Sequence, residues 1–221
     1  MLKKAISITD LMRMKREVYE FEDEWQAAFG QPERNGVWFV WGKSGNGKTS
    51  FVLQLCKELT KYGKVAYDSL EEGVSLTMQN ALMRVGMSEV GKRFVLLSET
   101  FADLDERLKK RRAPDIVVVD SFQYAHIGLK QYETFIKRHR HKLIIFISQA
   151  EGNKPLGRTA VSAMFSASLK IWVEGYRAIS KGRYFGEQGY YAVWKERADK
   201  YWGVETPKSD QFEDDNKTNE Q

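Results

Sequence analysis

The residues with the clearest chemical use are eight in a row, Gly42, Lys43, Ser44, Gly45, Asn46, Gly47, Lys48 and Thr49, which satisfy the pattern G-x-x-x-x-G-K-[ST]. Glycines at such spacing let backbone N–H groups wrap a phosphate, and the helix that follows adds partial positive charge at its start. Lys48 is expected to neutralise β- and γ-phosphate oxygens, and the Thr49 hydroxyl to ligate Mg²⁺. The context is also the required one. The apolar run Val37-Trp38-Phe39-Val40-Trp41 precedes the loop, and a helical stretch from Thr49 to about Tyr62 follows it, closed by Gly63. The expected ligand is therefore Mg-ATP.

A second acid belongs with this loop. Asp115-Ile116-Val117-Val118-Val119-Asp120 reads as a buried strand ending in a carboxylate. On a parallel sheet it delivers Asp120 to the same edge as the phosphate loop, where it is expected to hold the Mg²⁺ shell through water, and leaves Asp115 at the far end. Hydrolysis also needs a group that orients or deprotonates water. Asp68-Ser69-Leu70-Glu71-Glu72-Gly73 offers carboxylates on the correct edge, and position alone leaves Glu71 and Glu72 undecided. Ser148-Gln149 ends the strand Leu143–Ile147, where the Gln149 amide is placed to sense a γ-phosphate and pass its position to the next loop.

The elements that must position these residues alternate. Further apolar runs stand at Val65-Ala66-Tyr67, Phe94-Val95-Leu96-Leu97, Ile116–Val119 and Leu143–Ile147, separated by helix-length segments such as Phe101 to Arg112. Uninterrupted apolar strands alternating with helices predict a mostly parallel sheet covered on both faces. After Ser148 the pattern changes: Leu169–Glu174, Tyr184-Phe185 and Tyr190–Trp194 read as antiparallel strands joined at Gly182, Gly186 and Gly189. Upstream, Leu11, Val18, Phe21, Trp25 and Phe29 recur at three- and four-residue steps for much of Ser7 to Phe29, which predicts a helix there.

These motifs, in this order, resemble the RecA-like ATPase core, in the branch that holds RadA and the DnaB-type helicases. The resemblance covers about Gly30 to Trp202 and includes Tyr67-Asp68-Ser69-Leu70-Glu71, Asp120-Ser121 and Ser148-Gln149 beside the phosphate loop. It implies an α/β, three-layer αβα P-loop NTPase whose parallel sheet is extended by C-terminal antiparallel strands, and it selects Glu71 as the water-activating base. Ser180-Lys181-Gly182-Arg183-Tyr184-Phe185-Gly186 resembles the K-x-R element that enters a neighbouring subunit's active site. Lys181 and Arg183 are then expected to act in trans, within a homo-oligomer, a ring or a filament. The whole chain is similar to small RecA-core ATPases of phages and mobile elements, so no separate N-terminal domain of the DnaB or RadA kind is expected, and its single cysteine provides no zinc-binding cysteine set.

The resemblance places nucleic-acid contacts in the loops after Asp120 and Gln149, here Phe122 to Lys130 and Glu151 to Phe165. They offer Tyr124, His126, Lys130, Asn153, Lys154, Arg158 and Thr159 for single-stranded DNA. Charge agrees with a polyanionic partner. The chain carries +5, and residues 204–221 hold six acids against two lysines, so the remainder carries four charges more, +9. Those last residues are expected to be a disordered acidic tail. The expected division is an N-terminal helical segment, 1–29, an ATPase domain, 30–203, and the tail, 204–221.

With 42% hydrophobic residues in 221, one globular domain is the default. No apolar run reaches the roughly 18 residues of a membrane span, and Met1-Leu2-Lys3-Lys4-Ala5 lacks a leader's apolar core, so a cytoplasmic protein is expected. Cys56 has no partner for an internal disulfide, and His126, His139 and His141 show no second ligand set for a metal. The function expected is a hydrolysing ATPase acting on single-stranded DNA in recombination, repair or replication. The alternative is a signalling or scaffold ATPase that engages a protein partner.

Overall fold

The computed structural model describes residues 5–203. Its centre is a nine-stranded sheet. Along the chain the strands are β1 (Gly36–Gly42), β2 (Val65–Ser69), β3 (Phe94–Leu97), β4 (Ile116–Asp120), β5 (Leu143–Glu151), β6 (Lys154–Pro155), β7 (Leu169–Glu174), β8 (Arg177–Ser180) and β9 (Tyr190–Ala192). In space the order is β3-β2-β4-β5-β1-β7-β8-β9, with β6 paired to β5. From β3 to β7 every pairing is parallel, and β8 and β9 extend that sheet antiparallel. The expected architecture, a mostly parallel sheet with antiparallel strands added late, is the one observed.

Alternation within the apolar strands explains why both faces must be covered. Trp38, Val40, Tyr67, Val118 and Ile145 point to one face, and Val37, Phe39, Trp41, Val119 and Phe146 to the other. The first face packs on α2 (Asp23–Phe29), α3 (Lys48–Leu59) and α4 (Leu76–Val85), the second on α5 (Phe101–Leu108), α6 (Leu129–Arg138) and α7 (Arg158–Ser166). The result is three layers. Local signals set the helix ends. Ser75 accepts from the Met78 N–H at 3.1 Å to start α4, which ends at Gly86 with φ 68°, and Thr100 accepts from the Asp103 N–H at 3.2 Å to start α5.

Three expectations about elements need correction. The helix predicted over Ser7–Phe29 is broken: only α1 (Ile8–Arg13) and α2 are helical, and the chain between them is extended, with a bridge from Val18 to Glu33. Tyr19 and Phe21 are buried there while Glu20 and Glu22 are exposed, a period of two that overrides the weaker period of three or four. Tyr19, Phe21 and Phe29 sit in the same core as Trp38, so this N-terminal segment packs on the sheet. At the other end, Tyr184-Phe185 is not a strand, and Tyr190–Trp194 is β9 followed by α8 (Lys195–Trp202). Residues 186–189 lie across the end of α2, where the Gly186 N–H donates to the Ala28 carbonyl and those of Gln188 and Gly189 to Ala27. Finally, the segment Glu151 to Phe165 is not a loop throughout. It turns tightly through β6 into α7. The expected acidic tail, 204–221, lies outside the described residues.

Candidate nucleotide site

The phosphate loop starts where the end of β1 lies tight against β7. A Cβ on Gly42 would stand 2.1 Å from the Val173 carbonyl oxygen, so only glycine fits. Gly45 and Gly47 then adopt φ 78° and 94°, the left-handed region that turns successive N–H groups to one side. Asn46 braces the loop from within. Its amide nitrogen reaches the Ser44 carbonyl at 3.2 Å, and its Oδ1 accepts from the Gly175 N–H at 2.8 Å, tying the loop to the turn between β7 and β8. The Lys48 ammonium donates to the Lys43 carbonyl at 2.9 Å. Its pKa is lowered by burial, against the opposing pull of Asp120 and Glu71.

Parallel registry brings the other strand ends alongside. Asp120 pairs in register with Ser69 and Ile147, and its carbonyl accepts from the N–H groups of Leu70 and Glu71, which fixes the segment after β2 against β4. The Tyr67 hydroxyl donates to Asp120 Oδ2 from the buried side. Burial pushes the Asp120 carboxyl up to about 6, and the Tyr67 bond pulls in the other direction. Glu71 and Glu72 part company here. Gln149 Nε2 donates to Glu71 Oε1 at 3.3 Å, while Glu72 accepts from Ser75 and Thr77 at the start of α4.

A single cavity of about 680 Å³ gathers Ser44, Gly45, Gly47, Lys48, Thr49, Glu71, Glu72, Asp120 and Gln149. The other loop residues, Gly42, Lys43 and Asn46, serve its geometry from behind. Lys181 and Arg183 are not in it. The backbone N–H of Lys181 bonds to Lys170 and that of Arg183 to Ser168, at the sheet edge opposite the phosphate loop, and the Lys181 ammonium lies 5.5 Å from the Trp172 ring centre. Within one chain they are remote from the cavity.

Several cavity residues carry no sequence motif. Gln54, Arg84, Tyr176, Trp194 and Arg197 line its remaining wall. A signal for one of them exists: Glu174-Gly175-Tyr176-Arg177 is a two-residue turn between alternating strands, with φ 51° at Gly175 and 60° at Tyr176. The two candidate nucleic-acid segments meet over a smaller hollow lined by Gln123, His126, Arg158 and Thr159. Gln123 joins them to the cavity, since its amide donates to Ser148 Oγ and the Leu156 carbonyl, both at 2.8 Å, and accepts from the Gln149 N–H. Of the histidines, His139 is buried against Asp105.

The residues present fit Mg-ATP. Glycine-supported N–H groups and Lys48 suit polyphosphate, and the Thr49 hydroxyl with the Asp120 carboxylate supplies the hard oxygen donors that Mg²⁺ takes. Among the described residues no group of three or more His, Cys, Asp or Glu side chains is placed to hold a metal ion. No helix among the described residues is long and apolar enough to cross a membrane.

No family model and no curated protein matches the chain. Solved structures do. The flagellar accessory protein FlaH of Methanocaldococcus jannaschii is similar with a TM-score of 0.57 and 14% identity, over 80% of this chain and 92% of that one. A KaiC-like protein of the hyperthermophilic archaeon Pyrococcus horikoshii is similar with a TM-score of 0.55 and 15% identity, over 81% of this chain and 97% of that one. A third, described as an ATPase domain, has a TM-score of 0.52 and 15% identity over 75% of this chain and 84% of its own. At such identities the likeness is one of fold, and it agrees with the strand order, the loop and the strand-end acid described above: the chain has the RecA-like P-loop ATPase fold.

Proposed function

We propose that the chain binds and hydrolyses Mg-ATP and couples the reaction to single-stranded DNA in recombination, repair or replication. The observation that carries hydrolysis is the contact of Glu71 with Gln149 inside the cavity that holds Lys48, Thr49 and Asp120. Thr49 and Asp120 would hold Mg²⁺, which would supply charge neutralisation to the phosphates. Lys48 leaves the Lys43 carbonyl for the phosphates. Glu71 Oε1 accepts a proton from the attacking water, and Gln149 holds that carboxylate in place until a γ-phosphate competes for its amide.

Gln149 also carries the link to DNA. Its N–H bonds to Gln123, whose amide grips Leu156 between the two outer segments, so a shift of Gln149 reaches the exposed Tyr124, Lys154 and Arg158. Those side chains provide stacking and phosphate contacts. Lys181 and Arg183, remote from their own chain's cavity, act in a neighbour's, which requires a homo-oligomer. On this reading the protein works in the cytoplasm, with its nucleotide and DNA.

A second reading rests on two exposed apolar side chains at the two ends of α7, Leu156 just before it at 38% exposure and Phe165 in its last turn at 65%. Exposed apolar side chains there suit a protein partner, making the chain a scaffold or signalling ATPase. Turnover measured with and without single-stranded DNA at low salt separates the two. A severalfold stimulation that salt abolishes supports DNA; unchanged turnover together with no DNA binding sinks it. Loss of turnover on dilution, with Arg183→Ala as inactive as the dilute protein, supports the trans role.

A further inference from the structure

The phosphate loop accounts for one end of the cavity only. The other end is walled by Tyr176 from the β7–β8 turn and by Val193, Trp194 and Arg197 around the start of α8, with Gln54 of α3 beneath. The Arg197 guanidinium lies 3.9 Å from the centre of the Trp194 ring, and its Nη1 donates to the Tyr176 hydroxyl at 3.1 Å. The Tyr176 and Trp194 rings are 6.4 Å apart at 71°. A flat cation resting on an indole shows that this ring presents a face to a planar group.

Tyr176 is held there at a cost. Its φ of 60° is unusual for a bulky side chain, in a turn position that favours glycine or asparagine, and its ring packs 3.2 Å from where a Cβ on Gly47 would be. A strained aromatic pressed on the phosphate loop belongs to the site and not to the turn alone.

Gln54 adds direction. Its Nε2 donates to the Val193 carbonyl at 3.2 Å, which sets the orientation of the amide, and its Oε1 is buried without a partner. A buried acceptor left unpaired is costly and is relieved by a donor.

We propose that this end of the cavity is a purine subsite, in which the base takes the guanidinium's place on Trp194 and donates its exocyclic 6-amino group to Gln54 Oε1. The proposal rests on the reading of the cavity as a nucleoside triphosphate site. It adds that the site selects adenine, because a 6-oxo purine sets an acceptor against an acceptor. Trp194 and Tyr176 supply affinity for any base; Gln54 supplies the choice.

Calorimetric titration of the full chain with ATP, ITP and inorganic tripolyphosphate, each with Mg²⁺, tests both statements. Wild type binds ATP about tenfold tighter than ITP and tighter still than tripolyphosphate. Trp194→Ala loses about tenfold in ATP affinity and leaves tripolyphosphate unchanged, whereas Trp194→Phe retains most of the ATP affinity. Gln54→Leu brings ATP and ITP together without affecting tripolyphosphate. Equal binding of ATP and tripolyphosphate by wild type overturns the subsite while the phosphate site stands. A Trp194→Ala loss shared equally by tripolyphosphate also overturns it, as does ATP and ITP binding alike in wild type. If wild type binds none of the three, the nucleotide reading falls and the subsite with it.

Discussion

The two ends of the cavity are built in opposite ways. The phosphate end comes from one run, Gly42 to Thr49, completed by acids at the ends of neighbouring parallel strands. The far end comes from a hairpin turn and the start of a helix more than a hundred residues later, brought back by antiparallel strands. Backbone chemistry dominates the first and side-chain faces the second. A site made of backbone N–H groups demands particular local conformations, so its residues are few in kind and contiguous. A stacking wall asks only for flat rings that the fold happens to bring together.

The largest effect expected on this contrast is at Lys48. Lys48→Ala should lower turnover by at least a hundredfold and weaken tripolyphosphate binding, while the Trp194 end is untouched. If the variant binds tripolyphosphate like wild type, the phosphate end is misassigned. Next is Tyr67→Phe, which removes the bond to Asp120 without altering shape. Asp120 must be ionised to hold Mg²⁺. In the metal-free site its carboxyl is pushed up to about 6 by burial, so Mg²⁺ binding should weaken as pH drops through that value. The Tyr67 hydroxyl opposes that rise, so Tyr67→Phe should move the acidic limb to higher pH and raise the Mg²⁺ requirement about tenfold. An unmoved limb would show that Asp120 is not the group that titrates. The smallest effect is expected where the two ends touch. Asn46→Ala removes the bond to Gly175 and should weaken ATP a fewfold, roughly 1 kcal/mol, with tripolyphosphate less affected, because the loop and the turn then move independently. Equal losses for both ligands would mean that Asn46 shapes only the loop.

What was legible in the sequence follows the same divide. The parallel strands announce themselves as unbroken apolar runs, and the phosphate loop by its glycines. Glu71 over Glu72 required the resemblance, since nothing local says that Glu72 turns to Ser75 and Thr77. Tyr67 reads as a strand residue, yet its hydroxyl reaches Asp120 only through the β2–β4 register. The helix expected over Ser7–Phe29 failed because Tyr19 and Phe21 alternate with exposed glutamates against the sheet core, a tertiary preference that periodicity of the longer segment masks. Tyr190–Trp194 looked like one strand because its aromatics favour strands, whereas Val193 and Trp194 leave the ladder to open α8. Arg197 then has no motif at all; its use depends on Trp194 being three residues before it on a helical turn.

The strap at residues 186–189 has a mechanical consequence. It is backbone-bonded to the end of α2, and a Cβ on Gly186 would fall 2.0 Å from the Gln26 carbonyl oxygen, so the early and late parts of the described chain are clasped directly. A pull applied across those parts loads this clasp and the edge strand beside it first. The parallel strands that position Lys48, Glu71, Asp120 and Gln149 stand behind it, shielded from the tension until the clasp gives way.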